Sequence, residues 1–213
     1  MPNIYAGVCG LMVTLGAMSA HAQWVPVSSN IRFTVEASKE GKLTRHVKEG
    51  MFYRTEQGST LKHWTGGDLA ANGGKGELFD NQAHHSYEIS YGSKQMLEHF
   101  LAAPPRNPDD DLKNLKPEGR DSVEGIPCDL IPIDLAGAEI KQHRIGYACV
   151  ARNYGLLLKR ETRDTRPDGT TVHTLLEMYN VRLNLPPDKD EFDILHTFTV
   201  VKEPSRPLPQ MPE

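Results

Sequence analysis

The chain lacks an excess of positive charge, a long apolar run beyond its first residues, more than a few cysteines, and any recognisable catalytic motif. Each absence removes a class of function. Lys and Arg number 24 against 28 Asp and Glu, a net charge of −4. Phosphate backbones are bound through a clear cationic surplus, so a nucleic-acid partner is not expected. After Ala22 no uncharged apolar stretch reaches the ~18 residues a membrane helix needs, so the mature chain has no transmembrane span. There is no Gly-x-Ser-x-Gly elbow for a serine nucleophile. Gly73-Gly74-Lys75-Gly76 lacks the full spacing and following helix of a phosphate loop. Asp109-Asp110-Asp111 lacks the glycine and terminal glutamate of a calcium loop. His84 and His85 are adjacent on a strand and point to opposite faces, while His63 and His173 stand outside zinc-enzyme spacing. No catalytic residue, metal ligand or cofactor is assigned, and the chain is read as a non-enzyme.

What is present begins with an address. Met1 to Ala22 carries no charged side chain, has an apolar centre from Ala6 to Met18, and ends in Ala20-His21-Ala22. That is the small-x-small pattern cut by signal peptidase, here after Ala22, although the first residues supply no Lys or Arg. Cys9 leaves with this segment, and Cys128 and Cys149 remain. In an exported chain they are read as a disulfide. A metal half-site and two free thiols are the other readings, and the spacing gives zinc no second pair. The remaining residues, 23–203, suit one domain, and Pro204, Pro207, Pro209 and Pro212 mark 204–213 as an extended, mobile tail.

The body alternates with a period of two. Ile31, Phe33, Val35 and Ala37 interleave with Arg32, Thr34 and Glu36, and Tyr87, Ile89 and Tyr91 with Ser86, Glu88 and Ser90. Residues 43–55 and 59–64 form a hairpin turning at Glu56-Gln57-Gly58, and a further strand is expected near Glu77–Phe79. The C-terminal half reads as strands over 126–135, 140–151, 154–166 and 170–183, with another around 192–201. Arg166-Pro167-Asp168-Gly169-Thr170 is a tight turn in which Lys159 faces Glu177 and Leu158 faces Met178. A hairpin of 126–135 on 140–151 places Cys128 and Cys149 near its open end, within reach of each other. One segment departs from alternation. Met96, Leu97, Phe100 and Leu101 have helical spacing between Ser93 and Pro104-Pro105, so a short helix is expected over 94–103, followed by an exposed loop over 104–117.

In order of parts the chain resembles the periplasmic lipoprotein-carrier and receptor superfamily (LolA-like). The resemblance runs through the hairpin Glu49-Gly50-Met51-Phe52-Tyr53-Arg54-Thr55-Glu56-Gln57-Gly58, then Gly125-Ile126-Pro127-Cys128, Cys149-Val150-Ala151 and Gly155-Leu156-Leu157-Leu158-Lys159. It implies a mainly β (α+β) fold: a curved antiparallel meander, or half-barrel, with one or two short helices on its concave face. It further implies a hydrophobic ligand held in that concavity by a periplasmic or secreted monomer. The candidate lining is Phe33, Val35, Ile89, Leu156, Leu158, Leu176 and Met178, with Phe100 and Leu101 as a lid. The same side chains would equally fill a packed core. The function expected is therefore a binding or carrier module for a lipid, lipopeptide or other amphiphile. The alternative is a structural or regulatory module contacting an envelope protein.

Overall fold

The computed structural model describes residues 24–68, 74–99, 115–136 and 143–202. The expected signal peptide, the Phe100–Leu101 lid, the acidic run at 109–111 and the proline tail lie outside the described residues. Alternation becomes strand almost throughout: β1 (Val27–Lys39), β2 (Lys42–Arg54), β3 (Thr60–Gly67), β4 (Lys75–Asp80), β5 (His85–Ser90) and β6 (Gln95–His99). The second half supplies β7 (Gly119–Val123), β8 (Ile126–Ala136), β9 (His143–Ala151), β10 (Leu156–Thr165), β11 (Thr171–Leu183) and β12 (Thr199–Lys202). They form one open sheet in the order β12-β6-β5-β4-β3-β2-β1-β11-β10-β9-β8-β7. Two meanders thus meet where β1 pairs antiparallel with β11. Two helical turns, α1 (Lys189–Phe192) and α2 (Ile194–Thr197), precede β12. The open, curved antiparallel sheet with two short helices is the expected architecture.

Turn chemistry sets the register. β1 and β2 join through Glu40 and Gly41, both left-handed at φ 50° and 76°. This two-residue geometry matches strand twist and suits glycine at its second position. At the other hairpin the Arg166 N–H donates to the Thr170 carbonyl at 2.9 Å, and Lys159 pairs with Glu177 as expected. Cys128 and Cys149 are joined, with Cα atoms 5.4 Å apart and a separation of 21 positions in sequence.

Three local expectations are corrected. The helix over 94–103 is absent from its described part, because Gln95–His99 is strand β6, flanked by β5 and by β12. Lys94 takes a left-handed φ of 51°, which turns the chain back along β5. Ladder bonds on both sides then outweigh a helix too short to be stable alone. The strand expected over 192–201 is strand only from Thr199. Before it, Phe192, Ile194, Leu195 and Phe198 pack on the sheet from the helical turns and the residue that follows them. Asp190 and Glu191 sit in the first turn of α1, where the helix dipole favours acids. Of the loop expected over 104–117 only 115–117 is described, and it is exposed and outside any strand; the edge strand β7 that follows, with residues half-buried or exposed, had no counterpart in the sequence reading. Finally, β10 does not alternate strictly. Its register with β9 shifts between Leu157 and Lys159, so Leu156, Leu157 and Leu158 are all buried. A bulge presents consecutive residues to one side.

Candidate functional site

Directly paired residues share a face of a sheet and successive residues alternate, so the ladder assigns every side chain to one face or the other. On the first face lie Ile31 and Phe33 of β1, Leu176 and Met178 of β11, Ala148 of β9, Ile131 of β8, and Phe52 and Trp64 of β2 and β3. With Leu157, Leu158 and Val150 they make one buried cluster, Phe33 packing half-buried against it, and Leu156 and the two cysteines join it from the other side of the ladder. The cluster's buried members all come from the strands, and Tyr154 of the helical turn Arg152–Tyr154 packs against them. The second cluster, Tyr53, Leu61, Leu78, Tyr87, Ile89 and Met96, lies on the opposite face, under Ile194, Phe192, Leu195 and Phe198. The apolar side of the sheet therefore changes face between β1 and β3.

This divides the sequence candidates. Leu156, Leu158, Leu176 and Met178 belong to the first cluster, with Phe33 packed against it. Val35 is half-buried in the same ladder position as Thr174 and His46. Ile89 belongs to the second cluster, so the structure does not bring it to the others. Leu157, Ile131, Ala148, Phe52 and Trp64 were missed. The paired strands, which alternation alone does not reveal, place them there.

The first face turns polar toward β3–β6. A groove of about 370 Å³ there is lined by Lys48, Trp64, Lys75, Glu77, Glu88 and His99, among others. Glu77 accepts from Lys62 at 3.1 Å and from the Trp64 indole N–H at 3.3 Å. Burial alone would push this carboxyl upward; the Lys62 charge, these hydrogen bonds and the nearby Lys48 outweigh it and hold it below the usual range. Lys75 and His99 each approach Glu88 to 3.8 Å. Lys48 sits between two rings, 5.8 Å from Phe33 and 5.7 Å from Trp64, a cation–π position.

The second face carries a different chemistry. The Tyr53 hydroxyl donates to Glu191 at 3.0 Å, tying α1 to the sheet. His63 stacks on Tyr91 at 3.8 Å, and Tyr91 meets Phe198 edge-on at 5.6 Å. Burial lowers His63 and raises both Tyr53 and Tyr91. A groove of about 510 Å³ runs between the β2–β3 turn and the segment Pro186-Pro187 with Phe192 and Leu195.

Two residues of the Gly-x-x-x-Arg hairpin prove structural. A Cβ on Gly50 would collide with the His63 carbonyl of the neighbouring strand. The buried Arg54 donates to the carbonyls of Val25 (2.8 and 3.0 Å), Gly155 (2.7 Å) and Tyr154 (2.7 Å), and lies over the Trp24 ring. It pins the N-terminal segment, β2 and the start of β10 together. Among the described residues no three His, Cys, Asp or Glu side chains are placed to hold a metal. Among them, too, no helix is long and apolar enough to cross a membrane.

No model of a protein family matches the sequence, and no curated protein matches it. Solved structures do. The chain is similar to PNGF-II at 10% identity and a TM-score of 0.41, covering 83% of this chain and 31% of that one. It is similar to a LolA superfamily protein from Nitrosomonas europaea at 9% identity and a TM-score of 0.37, covering 76% and 88%. In the MucA/MucB complex of Pseudomonas aeruginosa it is similar at 12% identity and a TM-score of 0.29, covering 77% and 54%.

Proposed function

We propose that the chain is an exported, non-enzymatic binding or carrier module that holds a lipid, lipopeptide or other amphiphile on the first face of its sheet. One observation carries this reading: an open sheet holds an apolar cluster whose buried members, among the described residues, all come from strands, with Tyr154 of the single helical turn Arg152–Tyr154 packed at its side. Phe33 and Val35 are only half-buried beside it, so an acyl chain can be laid along them. The Cys128–Cys149 crosslink supports an oxidising compartment, and the leader-like first residues support cleavage after Ala22 into the periplasm or medium. Residues 23–203 act as one monomeric domain.

The test is native mass spectrometry of the mature protein purified from its own envelope, followed by organic extraction. A bound amphiphile in stoichiometric amount, displaced in the half-buried variant Phe33→Glu, is the expected result. A protein with no adduct, which also takes no fluorescent phospholipid from phosphatidylglycerol vesicles, overturns the reading.

A second reading, an envelope protein-interaction module, is favoured by Val200 and Val201, exposed on the outermost strand β12. An extended partner adding to that edge would make such use of it. Co-purification of one protein, lost in Val200→Pro, with no lipid present would select it.

A further inference from the structure

One row of the ladder crosses the first face through Ile131, Ala148, Arg160, Leu176, Phe33 and Lys48. Two of its six members are cations, both half-buried. Among the described residues neither has a carboxylate within the 4.0 Å of an ion pair. The nearby acids are otherwise engaged or distant. Glu77 is held by Lys62, and Asp129 by Arg152 at 2.7 Å. Asp164 lies four residues along β10, roughly 13 Å away at strand rise. Three strand spacings separate Arg160 from Lys48, roughly 14 Å between Cα atoms, and both side chains are long enough to reach inward from the two ends. A cation set on apolar surface without a partner is costly, and the usual remedy is an opposite charge.

We propose that this row is the seat of an anionic head group, and that the amphiphile carried is one bearing a phosphate or carboxylate. Arg160 offers the planar fork that matches either oxyanion, Lys48 a point charge backed by Trp64, and Phe33 and Leu176 between them the floor for the first methylenes. The inference rests on the carrier reading and deepens it.

Isothermal titration of the mature protein, below micelle concentrations, separates the two. The probes are dodecyl phosphate, laurate, uncharged monolaurin and dodecyltrimethylammonium. Dodecyl phosphate and laurate should bind about tenfold tighter than monolaurin, the scale of one charge-assisted hydrogen bond, with the cationic probe weakest. Added salt should shrink that preference, a readout that needs no variant. Lys48→Gln with Arg160→Gln should abolish it while leaving monolaurin unchanged, and Lys48→Arg with Arg160→Lys should keep it. The phosphate and carboxylate arms show which oxyanion is preferred, and preference for either supports the row. Equal affinity for anionic and neutral probes, or tighter binding of the cation, overturns this inference and leaves the carrier reading standing. Binding of none of the probes removes both. Neutralising the chain's own acidic run (Asp109→Asn, Asp110→Asn, Asp111→Asn) should change nothing. A many-fold gain in anionic affinity would show that this run occupies the row, and would overturn the proposal.

Discussion

The two faces of one sheet solve the same problem differently. On the second face Leu61, Leu78, Ile89 and Met96 are buried in the ordinary way, by a separate layer: two helical turns bring Ile194, Phe192, Leu195 and Phe198 down onto them. On the first face Ile31 and Ile131 are equally inaccessible, and among the described residues only Tyr154, from the helical turn Arg152–Tyr154, comes to their cluster from outside the strands. A capped face needs no ligand to complete it. The first face, where Phe33, Val35, Lys48 and Arg160 are half-buried, is the one on which the carrier reading places a ligand. The comparison teaches that α1 and α2 cover the second face and not that one.

This contrast can be broken by truncation. Leu158→Ala removes a fully buried side chain from the curl and should cost about 2–5 kcal/mol, read as a fall in melting temperature across the whole protein. Ile194→Ala, in the cap, should cost less globally and should instead speed proteolysis between Pro186 and Phe198 while β1–β11 pairing persists. Equal, fully cooperative losses from both would show one core rather than two. Next in size is the crosslink: reduction should destabilise by about 3 kcal/mol on the chain-entropy model, and an unchanged melt would argue against a structural role. Arg54→Ala would strand three carbonyls that share one guanidinium, and a loss of about 1–3 kcal/mol is expected. Arg54→Lys should recover only part of it. Smallest is a pH effect on the capped face. Burial holds the folded His63 below its ordinary 6.5, so the unfolded state binds the proton more readily. Stability should therefore fall as pH drops below about 6.5, and His63→Phe should flatten that slope. Glu77, whose folded value is depressed, contributes stability that is fully present above about pH 4.5 and is lost as pH falls further.

Much of the fold was legible because a half-buried strand writes its burial as alternation, and the Arg166–Thr170 turn wrote its register as well. The rest was lost for physical reasons. Met96 and Leu97 are adjacent, so their apolar pair fits a helix or a strand, and only the pairing with β5 and β12 decides. Edge strand β7, Gly119–Val123, buries no residue fully and so leaves no apolar signature. The shift between Leu157 and Lys159 frees Leu158 from strict alternation, so consecutive leucines are buried where alternation would expose one. Ile89 was grouped with Phe33 because both alternate well. That they lie on opposite faces follows from counting pairings through β2, β3 and β4. Lys48 and Arg160 read in sequence as ordinary solvent-facing charges, and the row that aligns them exists only once six strands are side by side.

Photolabelling separates the two faces most directly. An alkyl phosphate carrying a diazirine at the end of its chain, irradiated with the mature protein and mapped by peptide sequencing, should mark β1, β10 and β11 around Phe33 and Leu176. Labels confined to the helical cap around Phe192 and Leu195, or no saturable label at all, would contradict a trough on the first face.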